Sequence, residues 1–235
     1  MKLELSAQEA FAQGGNRLCF VDPADGNRCI KVRRPDFTLA DLRRKKGFPK
    51  TLLPLSHFDD NREEFQVISA LQARHGEAVF ELISRCYGFV ETDLGPGLML
   101  ELIRDGDGRI SQSLKAQIWH QGYTEECRQA VERFCQRWRD LQIPSRDLLL
   151  HNILVQKDAQ GQIRRLVVID GLGSPNIIPF QWLPAGLRSA KIERKLNNLH
   201  TRIEQLLEKK ATGRHPGNHG MATAHAPHNN PDCKG

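Results

Sequence analysis

Apolar and polar positions divide the chain by their period. Near the start, Leu18-Cys19-Phe20-Val21 and Arg28-Cys29-Ile30-Lys31-Val32 are β-prone runs flanking the turn-forming cluster from Asp22 to Asn27, which predicts a hairpin. From residue 61 the spacing lengthens: Phe65, Ile68 and Leu71, with Val67 beside them, recur as on one helix face that stops at Gly76. Residues 79–93 and 95–108 read as two further strands joined at Gly95-Pro96-Gly97, the second running out into a hinge at Asp105-Gly106-Asp107-Gly108. A helix is predicted within 113–123. A longer one follows within 124–143, where Val131, Phe134, Cys135, Trp138 and Leu141 share a face. Ile153 to Gln156 and Leu166 to Ile169 form a second hairpin about the turn at 157–162. Last comes a charged helix from Arg188 to Lys210 with Ile192, Leu196, Leu199, Ile203 and Leu206 as its apolar stripe.

Two stretches lack any period. The segment from about 33 to 60 is basic and proline-punctuated, and reads as an insertion with at most a short helix in 38–46. Beyond Ala211 large apolar residues almost vanish, so the His-rich tail 211–235 is expected to be disordered. Its His215, His219, His225, His228 and Cys233 are spaced too irregularly to favour a metal site. The chain therefore divides into a β-rich part over 1–103, a mainly helical part over 104–210, and the tail.

Composition adds limits. With 39% hydrophobic and 26% charged residues, the 235-residue chain can bury a core. No apolar run approaches the roughly 18 residues of a membrane span, and the start lacks a signal-peptide pattern, so a cytoplasmic location is expected. The six cysteines form no C-x-x-C pair, which leaves buried, reduced thiols as the expectation. A net charge of +6 suits anionic partners such as nucleotides. Much of that charge crowds into Arg33, Arg34, Arg43, Arg44, Lys45, Lys46 and Lys50, without the aromatic interleaving or reading motif of a nucleic-acid binder.

The chemistry lies in an ordered set of groups. Gly14-Gly15 forms a candidate loop before the first hairpin, and Lys31 stands on the third strand. Glu64 opens the following helix, in better register with its apolar face than Glu63. Asp147 and Asn152 stand five positions apart after a core helix, and Asp170 ends a later strand. A lysine braced by a carboxylate can hold phosphates, while an aspartate and an asparagine supply hard oxygens to magnesium. Asp147 remains to accept a hydroxyl proton.

In this order the chain resembles the protein-kinase-like fold, on CIKV for the strand lysine, REEFQVI for the helix glutamate, RDLLLHN for the catalytic loop and VIDG for the metal aspartate. It resembles more closely the bacterial YrbL family, linked to the PhoP regulatory network. That likeness rests on GGNRLCFVDPADGNRCIKV, YGFVETDLGPG, IDGLGSPNIIPFQW and KIERKL. The resemblance implies an α+β, two-lobed kinase-like fold with a small β-rich N-lobe and a reduced, mainly helical C-lobe. It also implies ATP with Mg²⁺ in the cleft, Gly14, Gly15 and Lys31 on the phosphates, and the segment Met99 to Leu102 against adenine, with Glu101 and Leu102 as contacts. Lys31, Glu64 and Asp147 become the catalytic set, and Asn152 and Asp170 the metal ligands.

The sequence departs from the kinase pattern at several points. Ser145 stands where kinases usually have histidine, Asp170-Gly171 is followed by Leu172, and no A-P-E element appears. Such a compact second lobe suits a small-molecule, sugar, lipid or protein acceptor that the sequence does not name. The alternative is a non-catalytic pseudokinase that binds a partner through the basic insertion and the 188–210 helix.

Overall fold

The computed structural model describes residues 2–36, 38–46, 59–173, 180–217 and 219–221. The N-terminal part is an antiparallel sheet of β1 (Ala12–Gln13), β2 (Arg17–Asp22), β3 (Asp25–Arg33), β4 (Cys86–Thr92) and β5 (Gly95–Glu101). Its strand order is β1-β2-β3-β5-β4. Helix α1 (Leu39–Lys46) lies within the basic insertion, and residues 47–58 of that insertion fall outside the described residues. Helix α2 (Asp60–His75) packs on the sheet. Asp59 caps it, its carboxylate accepting from the Asn61 and Arg62 amides, and Gly76 ends it at φ 60°.

Period-2 alternation along β3 gives the sheet two working faces. Ile30 and Val32 join Leu5 and Phe20 in a small outer core. Cys29 turns the other way, into the main core with Ile68 and Leu71 of α2. Lys31 is thereby aimed at α2 and not at solvent.

Two local expectations need correction. Residues 79–81 do not begin a strand but end a 3₁₀ helix, Gly76–Glu81, which buries Val79 and Phe80. The β4–β5 turn is Asp93-Leu94, and Gly95-Pro96-Gly97 belongs to β5. Pro96 is tolerated because it pairs with Glu91 on one side, while on the other side the pairing with β3 ends at Val32 and Gly97. Gly97 answers a packing need, since a Cβ there would stand 2.5 Å from Ile30 Cγ2 and 3.1 Å from Val32 Cγ1.

The C-terminal part holds a second sheet, β6 (Gln112–Ser113), β7 (Ile153–Lys157) and β8 (Ile163–Val168), among α3 (Leu114–Gln121), α4 (Glu125–Asp140) and α5 (Ala185–Ala211). On α4, Val131, Phe134, Cys135 and Trp138 are buried. On α5 the whole stripe is buried: Ile192, Leu196, Leu199, Ile203 and Leu206. The architecture is α+β as expected, β-rich first and mainly helical after. One hydrophobic core, however, runs from Cys29, Ile68 and Leu98 of the first part to Trp138, Leu166 and Leu199 of the second. Among the described residues, no helix is long and apolar enough to cross a membrane.

The tail departs from its expected disorder over its described portion. Lys115 Nζ donates to the carbonyls of Gly217 (2.9 Å) and His219 (2.8 Å), and Ser113 Oγ donates to that of Gly220. The His219 ring lies 6.0 Å from that of His151. His225, His228 and Cys233 fall outside the described residues.

Candidate functional site

The site is built where β3, α2 and the end of β8 converge. Lys31 Nζ donates to Glu64 Oε1 at 2.8 Å and to the Ile169 carbonyl at 2.8 Å. Burial works against the charged lysine, but the Glu64 carboxylate, together with Asp170, holds its pKa above the ordinary lysine value. Glu64 reaches Lys31 because it lies four residues before Ile68, on the face that α2 turns to the sheet. Glu63, one position earlier, pairs instead with Arg146. Asn61 fixes the first turn of α2 to the strand by donating from Nδ2 to the Lys31 carbonyl at 2.8 Å.

Asp170 follows β8, and Gly171 after it has φ 83°. A Cβ at Gly171 would stand 2.8 Å from the Asp147 carbonyl, so only glycine lets the two loops pass this closely. Backbone bonds zip them together: Arg146 N–H donates to Gly171 O at 2.8 Å and Ile169 N–H to Asn152 O at 3.0 Å. Asp147, Asn152 and Asp170 are thus gathered by main chain. Asp170 Oδ1 accepts from the Gly171 amide at 2.7 Å.

The residue that sequence reasoning missed is Arg17. From the first position of β2, just past the glycine turn, its guanidinium forks across the site, Nη1 to Glu64 and to Asn61 Oδ1 (3.2 Å), Nη2 to Asp170 Oδ2 at 2.9 Å. Burial would raise the Asp170 pKa, but Arg17 and then Lys31 hold it below the usual carboxylate value. Its place two residues after the glycine pair was the one hint in the sequence. The glycines themselves line the turn without needing special backbone. Neither has a positive φ, and a Cβ would meet only Arg17 O at 3.7 Å from Gly14 and nothing within 4 Å of Gly15.

Asp147 is also paired. Its Oδ2 accepts from Arg202 Nη2 at 2.6 Å, and Oδ1 faces Lys195 Nζ at 3.9 Å, beyond hydrogen-bond reach. Both cations come from α5, the charged helix expected over 188–210. Ser145, in the place of the kinase histidine, is buried, and among the described residues its hydroxyl has no hydrogen-bond partner.

Two cavities flank Lys31 and Arg17. One, of about 430 Å³, is mostly apolar, with Cys29, Lys31, Leu100, Leu102, Ile103 and Leu154 among its walls and Gly220 of the tail at its edge. Glu101 also lines it, but its carboxylate is engaged by Arg165 at 2.6 Å and by the Arg85 amide at 3.1 Å. The Leu102 amide donates to Asn27 O at 2.8 Å, which turns it to the β2–β3 hairpin and away from the cavity. The other cavity, of about 320 Å³, is polar, and Gly14, Gly15, Arg17, Glu64, Arg146 and Asp170 line it.

The model of the family described as "PhoP regulatory network protein YrbL" matches residues 3–204. The chain belongs to the YrbL family. It is 28% identical over 181 residues to the YrbL proteins of Escherichia coli (strain K12) and of Shigella flexneri, covering 76% of this chain and 77% of each relative. Among solved structures, Rad53 1–466 in complex with AMP-PNP aligns at 15% identity and TM-score 0.48 over 88% of this chain. The chain spans about half the length of that protein, 51%. The family match ends before the tail, which places the segment over the apolar cavity outside the shared region.

Proposed function

We propose that the chain is an ATP-dependent phosphotransferase in a PhoP-linked regulatory setting. The observation that carries this reading is the buried Lys31–Glu64 pair, set between an apolar cavity of purine size and a polar pocket that ends at Asp170. The base would lie against Leu100 and Leu102, and the phosphates would follow Lys31 into the polar pocket. The acceptor hydroxyl would face Asp147. Its oxygen bonds to the γ-phosphorus as the bond to ADP breaks, and Asp147 takes the proton. What the acceptor is depends on groups outside this machinery.

Magnesium fits the donors in kind. Asp170 and Asn152 offer hard oxygens, of the kind magnesium takes beside water and phosphate ligands. Bound there, magnesium would neutralise charge on the phosphates, while Lys31 orients them and Gly171 keeps Asp170 beside Asp147.

A second reading, a nucleotide-responsive regulator without turnover, is favoured by one specific observation. Both carboxylates that the chemistry needs are held by arginines, Asp170 by Arg17 and Asp147 by Arg202. ADP release from ATP by the wild type, by Asp147→Asn and by Asp170→Asn separates the two. The phosphotransferase reading expects turnover that both variants abolish. Nucleotide binding without turnover, across a panel of sugar, lipid and protein acceptors, would leave the regulator.

A further inference from the structure

Arg17 belongs to no part of the phosphotransfer machinery described above, and it is the most heavily engaged side chain in the site. Its side chain is only 13% exposed. Its three acceptors, Glu64, Asn61 and Asp170, come from two different elements. Its backbone is the first residue of β2, at the end of the strand where it meets the glycine turn. A guanidinium with this reach lines the same pocket as Gly14 and Gly15, where phosphates would enter, and its planar fork matches two phosphate oxygens as readily as it matches carboxylates.

The charges point the same way. Lys31 and Arg17 balance Glu64 and Asp170, so the cluster as it stands is neutral. Asp170 has its Oδ2 on Arg17 and its Oδ1 on the Gly171 amide, so a divalent ion at this half-exposed carboxylate would have to compete with the guanidinium for Oδ2. Resting on the nucleotide-site reading, we infer that Arg17 is a phosphate ligand which occupies the Asp170 carboxylate until a nucleotide arrives. Phosphate draws the guanidinium off Asp170, and only then is the carboxylate open to metal. Arg17 thereby fixes the order of assembly, nucleotide before metal, and allows nucleotide to bind with no metal present.

The test uses the full chain in two titrations. The first adds Mn²⁺ to nucleotide-free protein and reads water-proton relaxation; the second adds ATP in EDTA and reads heat. Arg17→Gln is expected to bind Mn²⁺ about tenfold more tightly than the wild type, and ATP in EDTA about tenfold more weakly, the size of one charge-assisted hydrogen bond. A merely structural arginine would lower both affinities together, so opposite signs distinguish the roles. Unchanged or weaker Mn²⁺ binding by Arg17→Gln would overturn the inference, as would unchanged ATP affinity in EDTA. Should that variant not fold, Arg17→Lys, which keeps a cation but loses the fork, is expected to fall between, and equality with the wild type in both titrations would overturn it. Tight Mn²⁺ binding by the wild type that Asp170→Asn removes would overturn it without any Arg17 variant. Absence of ATP binding under every condition would instead overturn the nucleotide reading and the phosphate role with it, while the Mn²⁺ titration still judges the competition for Asp170.

Discussion

The glycine-turn side of the site and the α5 side use the same device in different settings. Each sets an arginine on an aspartate, Arg17 on Asp170 at 2.9 Å and Arg202 on Asp147 at 2.6 Å. Arg17 stands on the first residue of β2, at a strand end beside the glycine turn. Arg202 rides on a helix of 27 residues whose apolar stripe is wholly buried. The first cation can be drawn aside by a phosphate without loss to the core. The second sits between the buried Leu199 and Ile203, so the core fixes its backbone. Two pairs of similar geometry thus differ in what they permit, and the difference lies in the element behind each arginine.

The hardest way to break this comparison is to loosen α5. Leu199 is fully buried, and Leu199→Ala is expected to cost about 2–5 kcal/mol in urea unfolding, by lost transfer energy and the cavity left behind. A loss below about 1 kcal/mol would show that α5 is not the rigid mount described here.

Removing Arg202 itself should do much less. Arg202→Ala takes away the close partner of Asp147, but both side chains are about a third exposed, at 29% and 33%, and Lys195 stays nearby. Water and Lys195 can take over, so about 1 kcal/mol is expected from the same unfolding curves. ATP affinity in EDTA should be unchanged, unlike that of Arg17→Gln.

A carboxylate far from both arginines gives a pH-dependent contrast. Asp93 accepts from the Leu5 amide at 2.7 Å and the Ser6 amide at 3.0 Å, and the Ser6 side chain and these amides lower its pKa to about 2. Its stabilising effect is complete above the ordinary aspartate value of about 4 and is lost as pH falls toward 2. Melting temperature measured between those limits should fall less steeply for Asp93→Asn than for the wild type. Parallel curves would remove Asp93 from the account.

The smallest effect is expected where an arginine–glutamate pair has no special mount. Arg137 and Glu81 meet at 3.0 Å with both side chains largely in solvent, so Arg137→Ala should change stability by no more than about 0.5 kcal/mol. A larger loss would mean that the pair alone, and not its mounting, decides what such contacts are worth.

Much of this was legible in the sequence because it rests on period. The stripes of α2, α4 and α5 and the alternation in β3 were readable, and with them came the placement of Lys31 opposite Glu64. The Asp147 and Asp170 loops could be ordered along the chain, although their closeness depends on Gly171 allowing a backbone approach that no spacing encodes. Arg17 and Arg202 were hidden for a different reason. An arginine at a strand end and one on a charged helix face look like solvated surface until the partner carboxylates, 153 and 55 residues away, are brought to them. The Gly95-Pro96-Gly97 turn misled because a turn composition was met by a strand whose neighbour ends one residue earlier. The contacts of Gly217, His219 and Gly220 were not legible because backbone carbonyls make them, to which composition is blind.

The central claim is that Lys31 holds the phosphates of a nucleotide in this cleft. Calorimetric titration of the full chain with ATP, in Mg²⁺ and in EDTA, for the wild type and for Lys31→Met, tests it most directly. One-site binding by the wild type, lost in Lys31→Met under both conditions while the fold is retained, is the expected result. Wild-type protein that takes up no ATP, or a Lys31→Met variant that binds as the wild type does, would contradict it.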